Sequence, residues 1–153
     1  SAGANPAGTG PGASPGASPA GTGAAATRGP LPSGYTWCET LGQAVFCPTE
    51  PFCEDDDENE VDCDQPHTTQ VFAAGRLPDG TDVTASQEIA DRPDVRAACS
   101  EQMLDARSIN LSKTDGWAIY SQGVLINFTD EVFLCHAGPR TGTTKGNAFL
   151  PAA

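Results

Sequence analysis

The chain holds two histidines, His67 and His136, and each lies close to a cysteine. Cys63-Asp-Gln-Pro-His67 places a thiol and an imidazole near one another, and Cys135 directly precedes His136. Two thiolates and two imidazoles make a tetrahedral donor set suited to zinc. The same residues also fit a structural corner, in which Pro66 fixes a turn and His67 hydrogen-bonds nearby backbone. The sequence favours the corner, because cysteines joined in disulfides offer no thiolate to a metal. We therefore expect no metal and no cofactor, and keep His67 as the one candidate functional side chain.

Catalysis and calcium binding have no fuller support in the residues. A Ser-His-Asp set could be composed from either histidine and several serines, yet no Gly-x-Ser-x-Gly elbow is present. No catalytic residue is assigned on this basis. From Glu54 to Asp64, eight of eleven positions are acidic, which offers clustered oxygens to calcium. Asp55-Asp-Asp57 lacks the alternating spacing and the glycine of a helix-loop-helix calcium site. Mutual repulsion makes this segment an exposed, solvated loop. Asn110-Leu-Ser112 and Asn127-Phe-Thr129 fit the glycosylation pattern, which matters only in a eukaryotic secretory host.

Six cysteines, Cys38, Cys47, Cys53, Cys63, Cys99 and Cys135, occur without a Cys-x-x-Cys pair. An even count without metal spacing points to three structural disulfides and an oxidising, extracytoplasmic setting. The chain opens in a segment rich in small residues, and no signal peptide or membrane span is recognisable. The start Ser1-Ala-Gly3 suits the region just after a lipid-anchored cysteine or a membrane helix. Tethering through upstream residues is the expectation, giving a domain secreted or anchored on the outer face of the membrane.

Composition divides the chain in two. Residues 1–34 contain nine Gly, nine Ala and six Pro, with no acidic or aromatic side chain. Such a segment buries too little apolar surface to offset its backbone entropy, so it reads as a disordered linker. Residues 35–153 form the expected disulfide-rich globular domain. Its seven basic residues face 20 acidic ones, a net charge near −13. A charge of that sign repels phosphate backbones, and nucleic acid is excluded as a partner.

These residues need elements to position them. Trp37, Val45 and Phe46 are expected core anchors near the start of the domain. Thr69 to Leu77 alternates as a strand and closes at Pro78-Asp-Gly80. Ser86 or Asp91 is suited to cap a helix, and Pro93 to its first turn. Val95, Cys99, Met103 and Ala106 then recur at helical spacing as one buried stripe. Trp117–Tyr120, Val124–Phe128 and Glu131–Ala137 read as strands, with Trp117 and Tyr120 as core or half-exposed residues. The last strand sets Val132, Leu134 and His136 on one face, and Phe133 and Cys135 on the other. A helix carrying Cys99 must pack on that sheet, which favours a Cys99–Cys135 bridge. Its loop of about 37 residues would be worth roughly 4 kcal/mol in the chain-entropy model. The pairing among Cys38, Cys47, Cys53 and Cys63 stays open. The expected fold is α+β: a small disulfide-stapled antiparallel sheet with one main helix packed on it, after the linker.

Cys63-Asp-Gln-Pro-His67, the strand from Gln70 to Leu77, Cys99 in a helix, Cys135 in a strand and the close Gly146-Asn-Ala-Phe149 together resemble the septum formation domain. That domain occurs in exported, membrane-tethered proteins of actinobacteria, often behind a low-complexity linker. The resemblance covers roughly residues 35–150. It departs where the family shows a Trp and a Gly-Asp-Arg-like turn before its last cysteine, since this chain has Asn127-Phe-Thr-Asp-Glu-Val132. The resemblance implies a cell-envelope role and no established chemistry.

The function expected is a non-enzymatic extracytoplasmic binding module whose partner is a protein or a cell-wall component. One alternative is a small secreted hydrolase or wall-active enzyme using His67. Another is a secreted disulfide-rich inhibitor or effector, with the loop around Cys47–Cys63 as its contact surface.

Overall fold

The alternating run after His67 becomes the central strand of a curled antiparallel sheet. The computed structural model describes residues 31–38 and 45–151. In chain order its elements are β1 (Tyr35–Trp37), β2 (Phe46–Pro48), β3 (Cys53–Glu54), β4 (Glu60–Val61), β5 (Thr69–Arg76), α1 (Ser86–Ala90), α2 (Pro93–Ala98), α3 (Glu101–Arg107), α4 (Leu111–Thr114), β6 (Ala118–Ile126) and β7 (Asp130–Gly138). The linker expected over residues 1–34 lies outside the described residues, apart from Leu31–Gly34. There Tyr35 N–H donates to Pro32 O and Thr49 N–H to Gly34 O.

Strand β5 pairs with β7 along one side. On the other it pairs with β3 at Thr69–Gln70 and with β2 at Ala74. β1 extends β2, β4 extends β3, and β6 pairs with β7 as a long outer strand. Short helices cover one face of this sheet. Their residues Ile89, Val95, Ala98 and Leu104 join Phe72, Ala73, Phe133, Cys135, Ala137, Trp117 and Phe149 in one buried cluster. Phe149 anchors it, with its ring 5.6 Å from Phe72 and 6.3 Å from Trp117.

The other face is also closed. Phe46, Ala74 and Leu134 lie in one register row and are buried, and the rings of Tyr35 and Trp37 stand edge-on to Phe46. β7 is therefore buried on both faces: Phe133 and Cys135 meet the helices, while Val132, Leu134 and His136 point the opposite way. Of the expected anchors, Val45 and Phe46 are buried and Trp37 is half-buried.

A register shift between Val71 and Ala73 makes room for an extra residue, so that Phe72 and Ala73 both enter the helix-side core. A bulge of this kind frees a carbonyl from the ladder, and a buried carbonyl needs a donor. Arg107 supplies it. The residue is 4% exposed, with Nε donating to Phe72 O at 3.1 Å.

Two sequence expectations require correction. The single helix is broken into several short ones, because Ser100 accepts from Met103 N–H and starts a new helix directly after Cys99. The restart shifts the phase, so Leu104 and Arg107 point inward and Ala106 is exposed. Pro93 does occupy a first turn, but Ser86 and Asp91 supply no N-cap, since Ala85 and Arg92 stand at those positions. The strands expected at 117–120 and 124–128 are one strand, β6. Gly123 does not break it. A Cβ there would lie 2.5 Å from both Ile89 Cδ1 and Val83 O, so this glycine lets the segment leading into α1 press onto the strand.

Candidate functional site

The sequence directed attention to His67, and the structure gives it a scaffold position. Its ring is fully buried, its Nδ1 lies 2.8 Å from Gln65 O, and its backbone exchanges two hydrogen bonds with Thr144. Gly146 N–H donates to Cys63 O. The Cys63–His67 corner thus ties the start of β5 to the 144–146 segment.

All six cysteines are oxidised: Cys38–Cys47, Cys53–Cys63 and Cys99–Cys135. No thiolate is left for a Cys63, His67, Cys135, His136 zinc set. Three bridges in a domain this small fit an oxidising, extracytoplasmic setting. Among the described residues, no helix is long and apolar enough to cross a membrane.

The acidic run is a hairpin between β3 and β4, not a featureless loop. Asp55 Oδ1 accepts from the backbone N–H groups of Asp57 and Asn59, and Glu58 takes the left-handed conformation at φ 65°. Asp55, Asp56 and Asp57 each offer an oxygen, all within 4.8 Å of one another, at this solvent-facing tip.

The titratable cluster forms at the root of that hairpin. Pairing with Thr69 and Glu60 on either side draws Glu54 into the sheet, leaving it 8% exposed. His136, in β7, lies between Val71 and Tyr120 across the ladder and is fully buried. Its Nε2 sits 2.8 Å from Gln122 Oε1, an acceptor, so Nε2 carries the proton. Nδ1 then turns a lone pair toward Glu54 Oε1 at 3.8 Å, and neither atom has a hydrogen-bond partner among the described residues. The Tyr120 ring lies parallel to the imidazole, with centroids 4.7 Å apart.

Electrostatics matches this geometry. Burial, reinforced by the charges of Glu58, Glu60 and Asp55, pushes the Glu54 carboxyl up to about 7. Burial pulls His136 down to about 4. It also raises the Tyr35 and Tyr120 hydroxyls, to which Glu54 adds in both cases. Both shifts favour the uncharged form, so around pH 5 to 6 the buried carboxyl is largely protonated and the imidazole neutral.

A second feature adjoins it. A groove of about 370 Å³ runs between β6 and the α1–α2 segment, walled by Ala90, Val95, Cys99 and Ile119, with Gln87 and Arg96 at its polar margin. Tyr120 borders both features.

Sequence reading considered His136 but missed Glu54, Gln122 and Arg107. Glu54 is hidden among like residues. Its one local signal is its place directly after Cys53, where a disulfide draws the chain inward. Comparison with protein-family models, curated proteins and solved structures finds no match to this chain.

Proposed function

We propose that the chain is a non-enzymatic extracytoplasmic domain of the cell envelope that binds another protein or a wall component. It would be held off the membrane by its Ala/Gly/Pro segment and tethered through residues upstream, as in the septum formation domains it resembles. One observation carries the reading: large apolar side chains stand uncovered along the β6–β7 hairpin. Tyr120 is 43% exposed, Leu125 49% and Phe128 93%. Phe128 also adopts φ 65° at the hairpin tip, a conformation bulky residues avoid. Tyr120 and Leu125 lie on opposite faces of β6, so the contact surface is centred on the hairpin tip, where Leu125 and Phe128 stand close in the chain. The test is binding of the full chain to purified wall polymer and, separately, to immobilised envelope proteins. Saturable binding to one of them, weakened at least tenfold by Leu125→Ser with Phe128→Ser, is the expected result. Absence of saturable binding to both would overturn the proposal.

A second reading, a small hydrolase, draws on the Glu54–His136 pair in place of His67. A raised carboxyl beside a neutral imidazole is the pairing that general acid–base chemistry uses. Hydrolysis of wall peptides or glycans that disappears with Glu54→Gln would favour it. An unchanged rate in that variant would remove it.

A further inference from the structure

We infer that the free edge of β6 takes up an extended peptide as an added strand, and that a carboxylate of this peptide meets Arg96. The inference rests on the binding-module reading and names its site and ligand class. β6 runs for nine residues and is paired with β7 without a register break from Ala118↔Gly138 to Ile126↔Asp130. Among the described residues, none pairs with its other edge. Some natural edge strands are covered by a helix or loop, and here the segment leading into α1 reaches β6 at Gly123. Strands left open guard against unwanted pairing with charges, prolines, bulges or shortness. Ala118-Ile-Tyr-Ser-Gln-Gly-Val-Leu-Ile126 has none of these, although the chain carries 20 acidic residues.

The groove beside this strand opens onto its edge. Ile119, Tyr120 and Ser121 all line it. Successive strand side chains point to opposite faces, so a cavity bordered by three in a row reaches the strand's side and its backbone groups. Across the gap stand α1 and α2, and α2 ends at Cys99, whose disulfide to Cys135 pins that wall to the sheet. A slot held open in this way loses little freedom on binding. Its length along Ile119–Ser121 matches about three residues of an added strand. Backbone pairing would supply affinity, and alternate side chains entering Val95, Ala90 and Ile119 would supply selectivity.

Charge selects the occupant. Arg96 is exposed and has no ion-pair partner among the described residues, so it is available to a carboxylate. Residues 1–34 of this chain contain no acidic residue and do not complement it. A second copy pairing through its own β6 would present Ala118–Ile126, which holds no carboxylate for Arg96. A partner's extended segment bearing Asp, Glu or a free C-terminus fits.

The experiment is selection of displayed nine-residue random peptides on the full chain, followed by synthesis of the enriched peptide. Three results are expected. Arg96→Glu and Ala90→Trp each weaken binding at least tenfold with unchanged circular dichroism. N-methylation of every second peptide residue abolishes binding, while methylation of the others is tolerated. Backbone amides within Ile119–Gly123 become protected from exchange. Peptide binding that ignores N-methylation, enrichment of no peptide, or a chain that dimerises through β6 would each overturn the inference. If wall or envelope-protein binding persists unchanged in Arg96→Glu and Ala90→Trp, this site fails and the module reading stands. If neither assay shows binding, both fail.

Discussion

Tyr120 lies flat on His136, ring planes within 1° of parallel, and so joins the buried Glu54–His136 pair to the groove beside β6. One face of the tyrosine covers the imidazole, and its strand borders the slot. Rigid burial of His136 thereby fixes the position of the strand segment proposed to receive a ligand.

The Glu54–His136 pair has a pH signature with opposing limbs. Glu54 rises from 4.5 to about 7 on folding, so the native state binds its proton more tightly. Its contribution is fully present below about pH 4.5 and is lost as pH climbs toward 7. His136 falls from 6.5 to about 4, so its contribution is present above 6.5 and is lost as pH drops through 4. Between 4.5 and 6.5 the two slopes oppose each other. Denaturant titrations of Glu54→Gln should unmask the His136 limb: the variant's own stability rises from about pH 4 to 6.5, and the variant-minus-parent difference rises from about pH 4.5 to 7. A difference curve that is flat from about pH 4.5 to 7 would mean that the Glu54 carboxyl is not raised on folding.

Glu58 occupies a left-handed position at φ 65°, with its backbone N–H donating to Asp55 O. Glycine adopts this conformation without the Cβ penalty of about 1 kcal/mol. Glu58→Gly should therefore stabilise the domain slightly, by about 0.5 kcal/mol, since glycine's larger unfolded-state entropy offsets part of the relieved penalty, and it also removes one of the charges that raise Glu54. Urea denaturation at neutral pH checks it, and destabilisation would contradict the assigned geometry.

Gly123→Ala should act in the opposite direction. The new methyl meets Val83 O as well as Ile89 Cδ1, and the backbone oxygen has no rotamer with which to retreat. Overpacking of this kind costs about 1–3 kcal/mol. Thermal unfolding reads the loss, and truncating Ile89 in the same chain should fail to restore it fully.

Removing the Cys99–Cys135 bridge by paired alanine substitution should cost about 4 kcal/mol, against about 3 for either shorter loop. The sequence separations are 36, 9 and 10 residues, which sets this order. The longest bridge also holds the groove wall, so its loss should weaken peptide binding where loss of Cys38–Cys47 does not. Calorimetry and peptide titration on the two variants separate these effects.

Much of the frame is readable in the residues themselves. Strict alternation marks β5 and β7, and a cysteine on a helix packed against a strand cysteine is enough to suggest their bond. What escaped was long-range. Gly123 resembles a strand break until Ile89 and Val83 are seen lying across it. Ser100 resembles a helical residue until its side chain caps a new start. Glu54 looks like one more surface acid, because only its pairing with β5 and the His136 contact reveal its burial. Arg107 became a core residue through a bulge 35 positions away, which no local pattern announces.

The central claim is that β6 has an open edge, and residue-resolved amide exchange of the free chain tests it most directly. Alternate amides of Ala118–Ile126 should exchange rapidly, because they point away from β7, while amides of β7 from Val132 to Ala137, paired on both sides, exchange slowly. Uniformly slow exchange through β6 would mean the edge is already covered, and would contradict the account.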